Sequence, residues 1–397
     1  VTNRLAKITA LAAVGALALT ACGSNSSNSG STPSASDSAS AMATSSASSM
    51  DSSSASASTD SSSSAMGADY KPTCPGGSIS GGGSSAQANA INEVIKDYLA
   101  ACSGAKINYS VTGSGAGIQA FIGKQTDFAG SDSALSADKG EVAKAKARCG
   151  GNDAWHLPLA AGPIAVIYNL DGVDKLTLTS ETLAKIFAGK ITKWDDAEIK
   201  KENPSATLPS AAISVFYRSD ESGTTDNFTN YLNKAAGDVW TEKHSKSWKG
   251  TGKGADKSAG VSQAVKSTKN SISYTEWSYA TKNSLSMAAI DNGNGAVELT
   301  GETAGKAVSA AKAAGEGNDL KLDLQYKDTP AGVYPAVLVT YEIVCSKGLD
   351  SAKTALIKDF MSFYASSTEQ KKIQELGYAP LPSDVSQKVL TSAQALS

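Results

Sequence analysis

Residues 213–224 read Ile213-Ser214-Val215-Phe216-Tyr217-Arg218-Ser219-Asp220-Glu221-Ser222-Gly223-Thr224. The first five form an apolar run of buried-strand character. The residues that follow, Thr225 to Leu232, place Phe228, Tyr231 and Leu232 at helical spacing. The stretch is therefore expected to be a strand, a tight polar loop and a helix N-terminus. The first amides of a helix lack internal partners, and the helix dipole is positive at that end. Such an end is suited to an anion. Here Ser222 and Thr224 add hydroxyls, Gly223 lets the backbone approach closely, and Arg218 adds a guanidinium. All of these can donate to a tetrahedral oxyanion. The competing reading is an ordinary capped helix beside a surface arginine.

The chain on the amino-terminal side repeats the same design. Gly76 to Ala86 is a strand signal running into a Gly/Ser loop, before a helix face of Ile91, Val94, Ile95, Tyr98 and Leu99. Ile107–Val111 alternates as a strand does. It meets the glycine-rich turn 113–117, and a helix carrying Ile118, Phe121 and Ile122 follows. Asp127–Gly130 is a short strand ending at Ser131-Asp132-Ser133, before a helix expected from about Ala137 to Arg148. Strands alternating with helices imply a mostly parallel sheet covered on both faces, an α/β fold. Ligands bind such sheets at the carboxyl ends of the strands, so three small-residue loops and Asp132 would line one rim. Two longer apolar runs, Ile164–Tyr168 and Ala336–Val344, each follow Gly and Pro. They are expected to be paired crossings between two lobes.

The termini and composition bound the setting. A charged start with Arg4 and Lys7, an apolar run from Ile8 to Leu19, and Leu19-Thr20-Ala21-Cys22 resemble a lipoprotein signal peptide with its lipobox (residues 1–22), Cys22 being the lipidated residue. The apolar run is too short to span a bilayer. From Gly23 to about Asp69 the chain is Ser, Ala, Thr and Asp with almost no large apolar residue. It cannot offset its ordering entropy. Residues 23–73 are thus expected to be a disordered tether, with a root-mean-square reach of roughly 35–40 Å. The globular remainder is long enough for two domains. A formal charge of −2 with no basic stretch speaks against nucleic-acid binding. Cys74, Cys102, Cys149 and Cys345 make an even count in an exported chain, which points to disulfides. With only His156 and His244, a zinc site or a Cys–His nucleophile is weakly supported.

Five blocks then carry a family resemblance: GSGAGIQAFIGKQTDFAGSDSALS (113–136), LAKIFAGKITKWDD (183–196), FYRSDESGTTDNFTNYL (216–232), SISYTEWSYA (271–280) and LGYAPLP (376–382). In order, from Cys74 to the end, the chain resembles the phosphate-binding proteins of Pst-type ABC importers, in their actinobacterial lipoprotein form. The resemblance implies a two-lobed type II periplasmic binding protein fold that closes over dehydrated phosphate. It implies lobes of residues 74–163 with 333–397, and 164–332, and a separate permease and ATPase as partners. It places mono- or dibasic phosphate on Ser85, Ala86, Ser114, Asp132, Arg218, Ser222, Gly223 and Thr224, with Asp220 pairing the arginine. One departure is Ser85-Ala86, where the family carries a hydroxyl residue followed by a bulky one. The amide of residue 86 could still donate there. In this topology Cys74 and Cys102 lie at the floor of one βα unit; Cys149 ends the helix that feeds the first crossing, and Cys345 ends the returning one. The expected disulfides are therefore Cys74–Cys102 and Cys149–Cys345.

The competing functions are weaker. Gly113-Ser114-Gly115-Ala116-Gly117-Ile118 has Ile where a dinucleotide fingerprint has its third glycine, and no Walker A motif is present. No cofactor or metal is expected, and the protein is not expected to be an enzyme. A phosphatase would need a metal cluster or a nucleophile with a poised base. A binding protein for another oxyanion, such as sulfate, would share the fold, so the site must decide. Sulfate would want donors alone, which makes Asp132 the discriminating residue, unless it merely caps a helix before Ala134. A structural or adhesive role is a further alternative. The chain is expected to be a monomer, bound to the membrane only through its lipid.

Overall fold

The computed structural model describes residues 69–397; the expected signal peptide, Cys22 and nearly all of the tether lie outside them. Nine strands form one sheet. Its order runs Ala105–Val111, Gly77–Gly83, Phe128–Ser131, Val337–Cys345, Ala154–Asn169, Ser271–Glu276, Ser214–Arg218, Lys253–Ala255, with Ser286–Met287 added beside Ala154–Asn169. The first three strands are mutually parallel, and so are the last three of the run. The two central strands are antiparallel to one another and to their neighbours.

The central strand Ala154–Asn169 makes two lobes out of one sheet. It is apolar and buried over nearly all of its 16 residues, as a strand covered on both faces must be. Residues 154–163 pair with Val337–Cys345, and residues 164–169 with Ser271–Glu276. Pro163 sits where the strand exchanges one partner for the other. A residue without an amide costs the ladder least at such a point. Pro158 lies beside the register shift at Thr340/Tyr341, another place where proline is tolerated. The return crossing is short: Ile164 N donates to Ala336 O at 2.8 Å, and the Tyr334 hydroxyl to Ile164 O at 2.8 Å.

Two apolar clusters pack against the sheet, and the larger draws on both lobes, since Ile118, Phe121 and Ile343 join it. Ile79, Ile91, Val94, Tyr98, Phe128 and Phe360 belong to one cluster. Phe187, Trp194, Phe228, Tyr231 and Tyr274 belong to the other, where Phe228 and Tyr274 stack at 4.4 Å. The predicted strand–loop–helix repeats are present with shifted ends. The glycine-rich turn is already helical from Ser114. The helix expected from Ala137 begins at Glu141, after Gly140 in the left-handed region. The Ala-rich helix near 304–314 stops at Ser309, and a small hairpin pairs Lys312–Ala313 with Leu322–Asp323. The hairpin lies against the first lobe, where Asp319 bonds His156 and Leu322 meets the Tyr341 hydroxyl. Among the described residues no helix is long and apolar enough to cross a membrane.

Both expected disulfides are formed, Cys74–Cys102 and Cys149–Cys345. They close very different loops, with sequence separations of 28 and 196 residues. On the chain-entropy scale the longer loop is worth about 5 kcal/mol and the shorter about 3.5, each an upper figure. We expect Cys149→Ser/Cys345→Ser to lower the thermal midpoint by roughly 5–15 °C, more than Cys74→Ser/Cys102→Ser. Equal losses in parallel thermal melts would show that chain entropy does not set their contributions.

Candidate anion-binding site

Strand Ser214–Arg218 ends by burying the guanidinium of Arg218, which is 2% exposed. Asp220 grips it from two residues on, with Nε to Oδ1 at 2.7 Å and Nη2 to Oδ2 at 2.6 Å. The Lys257 amide also donates to Asp220 Oδ1, at 3.1 Å. Burial opposes the charge on Arg218, but the hydrogen bonds and charge of Asp220, aided by Glu276, raise its pKa overall. Burial likewise opposes the charge on Asp220, yet Arg218 holds its carboxyl below the usual carboxylate range. With two donor groups occupied, Nη1 faces inward. It reaches Ser258 Oγ at 3.1 Å and Thr224 Oγ1 at 3.4 Å, with Glu276 Oε1 at 3.9 Å.

Helix Gly223–Ala235 begins beside this cation. Ser222 is its cap, its Oγ accepting from the Thr225 amide at 3.2 Å. The Ser222 hydroxyl proton is left to point elsewhere, while its own amide donates to Lys246 O at 2.9 Å. The amides of Gly223 and Thr224 precede the capped one and belong to the first turn, where no helical partner exists.

The facing lobe contributes the second half. Asp132, 3% exposed, follows strand Phe128–Ser131. Its Oδ1 accepts from Ser84 Oγ at 2.5 Å and Thr340 Oγ1 at 2.7 Å; its Oδ2 accepts from Ser114 Oγ at 3.3 Å. Asp132 does not cap a helix, since the next one starts at Glu141 with Gly140 as its cap. Burial pushes the Asp132 carboxyl up to about 6; the Ser84 bond opposes this and the charge of Glu276 adds to it. Ser114 opens helix Ser114–Ile122. The Ala86 amide, which could have faced an anion, donates to Ser84 Oγ at 3.0 Å, and the Tyr378 hydroxyl bonds the Ala86 carbonyl at 2.7 Å.

The two halves touch. Ser85 Oγ is 2.6 Å from Ser258 Oγ across the cleft. Gly115 N donates to Glu221 O at 2.9 Å, and Asn227 Nδ2 to Asp132 O at 2.6 Å. Farther out, Ser133 and His244 both bond Asp226, and Glu141 pairs with Lys246 in a buried ion pair at 3.3 Å. A cavity of about 190 Å³ runs beside Asp132, among Asp226, Asn227, His244, Tyr326 and Tyr341. A roomier groove of about 590 Å³ lies between Asn89, Lys96, Ser278 and Lys282 and includes none of the expected ligand residues.

Two glycines make the contact possible. A Cβ on Gly113, whose φ is 91°, would meet Asp220 Oδ2 at 2.4 Å. One on Gly223 would meet Asp132 Cβ and Ser114 Oγ, each at 2.6 Å. Those atoms belong to the opposite lobe, and Gly223 itself is helical, so alanine suits its own backbone. We expect Gly223→Ala to prop the lobes apart. Anion affinity should fall at least about tenfold, while stability without anion changes by less than about 0.5 kcal/mol. Calorimetry and melts on one preparation check both; unchanged affinity would show that the lobes close without this contact.

All eight expected residues and Asp220 therefore gather at one interface. Sequence reasoning missed Ser84, Ser258, Glu276 and Thr340. Ser258 could have been read as a further small-residue loop opening a helix. Glu276 ends an apolar strand within the block 271–280. Thr340 lies mid-strand and gives no local signal.

An α/β sheet divided by crossing strands into two lobes, with polar loops at strand ends meeting in the cleft, is the type II periplasmic binding protein fold. A PBP superfamily domain model matches residues 28–368. Phosphate-binding protein PstS3 of Mycobacterium bovis (strain BCG / Pasteur 1173P2) is 44% identical over 335 residues, 83% of this chain and 90% of its own. PstS2 of the same strain is 40% identical over 395 residues, 98% and 97% of the two chains. Among solved structures, the phosphate-bound periplasmic protein PfluDING superposes with a TM-score of 0.65 at 22% identity, over 79% of this chain and 93% of that one. That last likeness speaks to fold. The chain belongs to the PBP superfamily and, within it, to the PstS family of phosphate-binding proteins.

Proposed function

We propose that this protein is an extracytoplasmic solute-binding lipoprotein that captures inorganic phosphate between its lobes and delivers it to an ABC importer. The observation that carries the reading is the meeting of one buried, bidentately held guanidinium with one buried carboxylate across a cleft lined by helix N-termini. Its ligand groups are Ser85, Ser114, Asp132, Arg218, Ser222, Gly223 and Thr224, with Asp220 supporting the arginine; the Ala86 amide joins them by exchanging its Ser84 partner for the anion. The lobes are residues 74–163 with 333–397, and 164–332. Cys22 carries the lipid anchor, and residues 23–73 let the monomer move between the membrane surface and its partners, a permease and an ATPase. The protein performs no catalysis and needs no cofactor or metal.

Relatives named phosphate-binding proteins, matched over most of both chains, support this reading. So does Asp132, which suits an anion that still carries a proton and disfavours a sulfate-like one. Titration of the purified protein with inorganic phosphate, followed by tryptophan fluorescence, tests it. Saturable binding that sulfate does not displace is expected. Binding of sulfate in preference, or of neither anion, would overturn the proposal.

A further inference from the structure

Outside the anion loops, one ion pair joins the two halves of the cleft. Glu141 opens helix Glu141–Arg148, and each of its carboxylate oxygens lies 3.3 Å from Lys246 Nζ. Both residues are buried, 5% and 4% exposed. Lysine and glutamate are almost never so buried unless paired. Their backbones are held on opposite sides. Cys149, next after the helix, is bonded to Cys345, and Arg148 donates to the carbonyls of Phe121 and Thr126. These contacts fix Glu141 to the side that carries Asp132. Across the cleft, Lys246 O accepts the Ser222 amide at 2.9 Å, and the Ser245 amide donates to Thr229 Oγ1 at 3.2 Å. Lys246 thus holds the cap of the anion helix with its carbonyl and reaches the facing side with its ammonium. Its charge also acts on Asp226, a neighbour on its own side.

We propose that Glu141 and Lys246 are positioning residues whose ion pair latches the closed lobes and sets phosphate affinity and residence from outside the ligand site. The inference rests on the reading of inorganic phosphate as the ligand of the closed cleft. Neither residue is an expected ligand of the anion. Closing buries both charges, and their mutual attraction offsets that desolvation only while the pair is intact. With the lobes parted, each charge is hydrated separately. Removing one partner therefore penalises the closed state alone, because the other is then buried without its counter-charge. A ligand bound by the closed state loses affinity to the extent that closing is disfavoured. Loss of a buried charge partner is felt chiefly as faster release. Two substitutions separate charge from shape. Glutamine at 141 keeps an oxygen for the Ser136 amide, which Glu141 Oε2 accepts at 2.8 Å. Methionine at 246 keeps an unbranched side chain of similar length and leaves the backbone bond to Ser222 in place.

Calorimetry and stopped-flow tryptophan fluorescence with inorganic phosphate test the proposal, on the wild type, Glu141→Gln, Lys246→Met and the double variant. Each single change is expected to lower affinity about tenfold, mostly through faster release. The double variant leaves neither charge unpaired, so its loss is expected to stay well below the product of the two single losses. Melting temperatures without phosphate are expected to stay within about 2 °C of wild type, because the pair is absent from parted lobes. Single losses of less than about threefold would overturn the proposal while leaving phosphate as the ligand. So would single losses that multiply in the double variant, since the two residues would then act independently. Variants that melt well below wild type without phosphate, or fail to fold, would also overturn it, as the mark of a purely structural role. A wild type that binds no phosphate would overturn both readings.

Discussion

Arg218→Ala is expected to lower phosphate affinity by about 10²- to 10³-fold, more than the loss of any hydroxyl in the cleft. The side chain is buried, and its four close partners are fixed: Asp220 by two bonds, Ser258, Thr224 and, at 3.9 Å, Glu276. Its charge acts on Asp132, Asp220 and Glu276. Removing it leaves Asp220 and Glu276 buried without their counter-charge before any anion arrives. Breaking a buried pair in this way costs roughly 3–5 kcal/mol, and the same range in binding corresponds to the stated loss. Lysine restores charge but cannot span Asp220 and the cleft at once, because the planar fork is absent. Arg218→Lys is therefore expected to recover little of the affinity. Calorimetry that found less than a tenfold loss for Arg218→Ala would place the anion away from this loop.

Asp132→Asn is expected to shift the phosphate-to-sulfate preference toward sulfate by about tenfold or more, some 1.4 kcal/mol. An ionised carboxylate only accepts, so it can take a proton from phosphate in a charge-assisted bond and can only repel sulfate. Asparagine keeps the size and supplies a donor. The same variant carries a stability signature. Burial raises the Asp132 pKa from 3.8 in the unfolded chain to about 6 when folded. Between those values the folded chain keeps a proton that the unfolded chain releases, so stability falls as pH rises through the window. Above about pH 6 the charge costs about 3 kcal/mol. Asp132→Asn should then melt above wild type at about pH 7.5, with the gap closing toward pH 4. An unchanged anion ratio in parallel titrations would assign selectivity to cavity shape.

Much of this was legible because local chemistry and tertiary structure agree. The strand before Arg218 and the helix after Ser222 follow from the apolar run and the spacing of Phe228, Tyr231 and Leu232, all three of which are fully buried. The two crossings were visible as apolar runs flanked by Gly and Pro. Less legible was what long-range contact decides. Asp132 could have capped a helix, and only the distance to Glu141 and the approach of Thr340, 208 residues away, give it another role. Thr224 looked like a donor; its proton is assigned by Glu276, 52 residues on. The hairpin at 312–323 contacts His156 and Tyr341 through pairings that no local periodicity encodes. The Ala86 amide is taken by a neighbouring hydroxyl at Ser84, a bond set by loop geometry rather than residue type.

The most direct test of the central claim is a crystal structure of the protein grown with inorganic phosphate. The account predicts one tetrahedral anion buried between the lobes. One of its oxygens should lie about 2.5–2.7 Å from an Asp132 carboxylate oxygen, and others within about 3.2 Å of Arg218 Nη1 and the amides of Gly223 and Thr224. An anion held elsewhere, or lobes that close without one between Asp132 and Arg218, would contradict it.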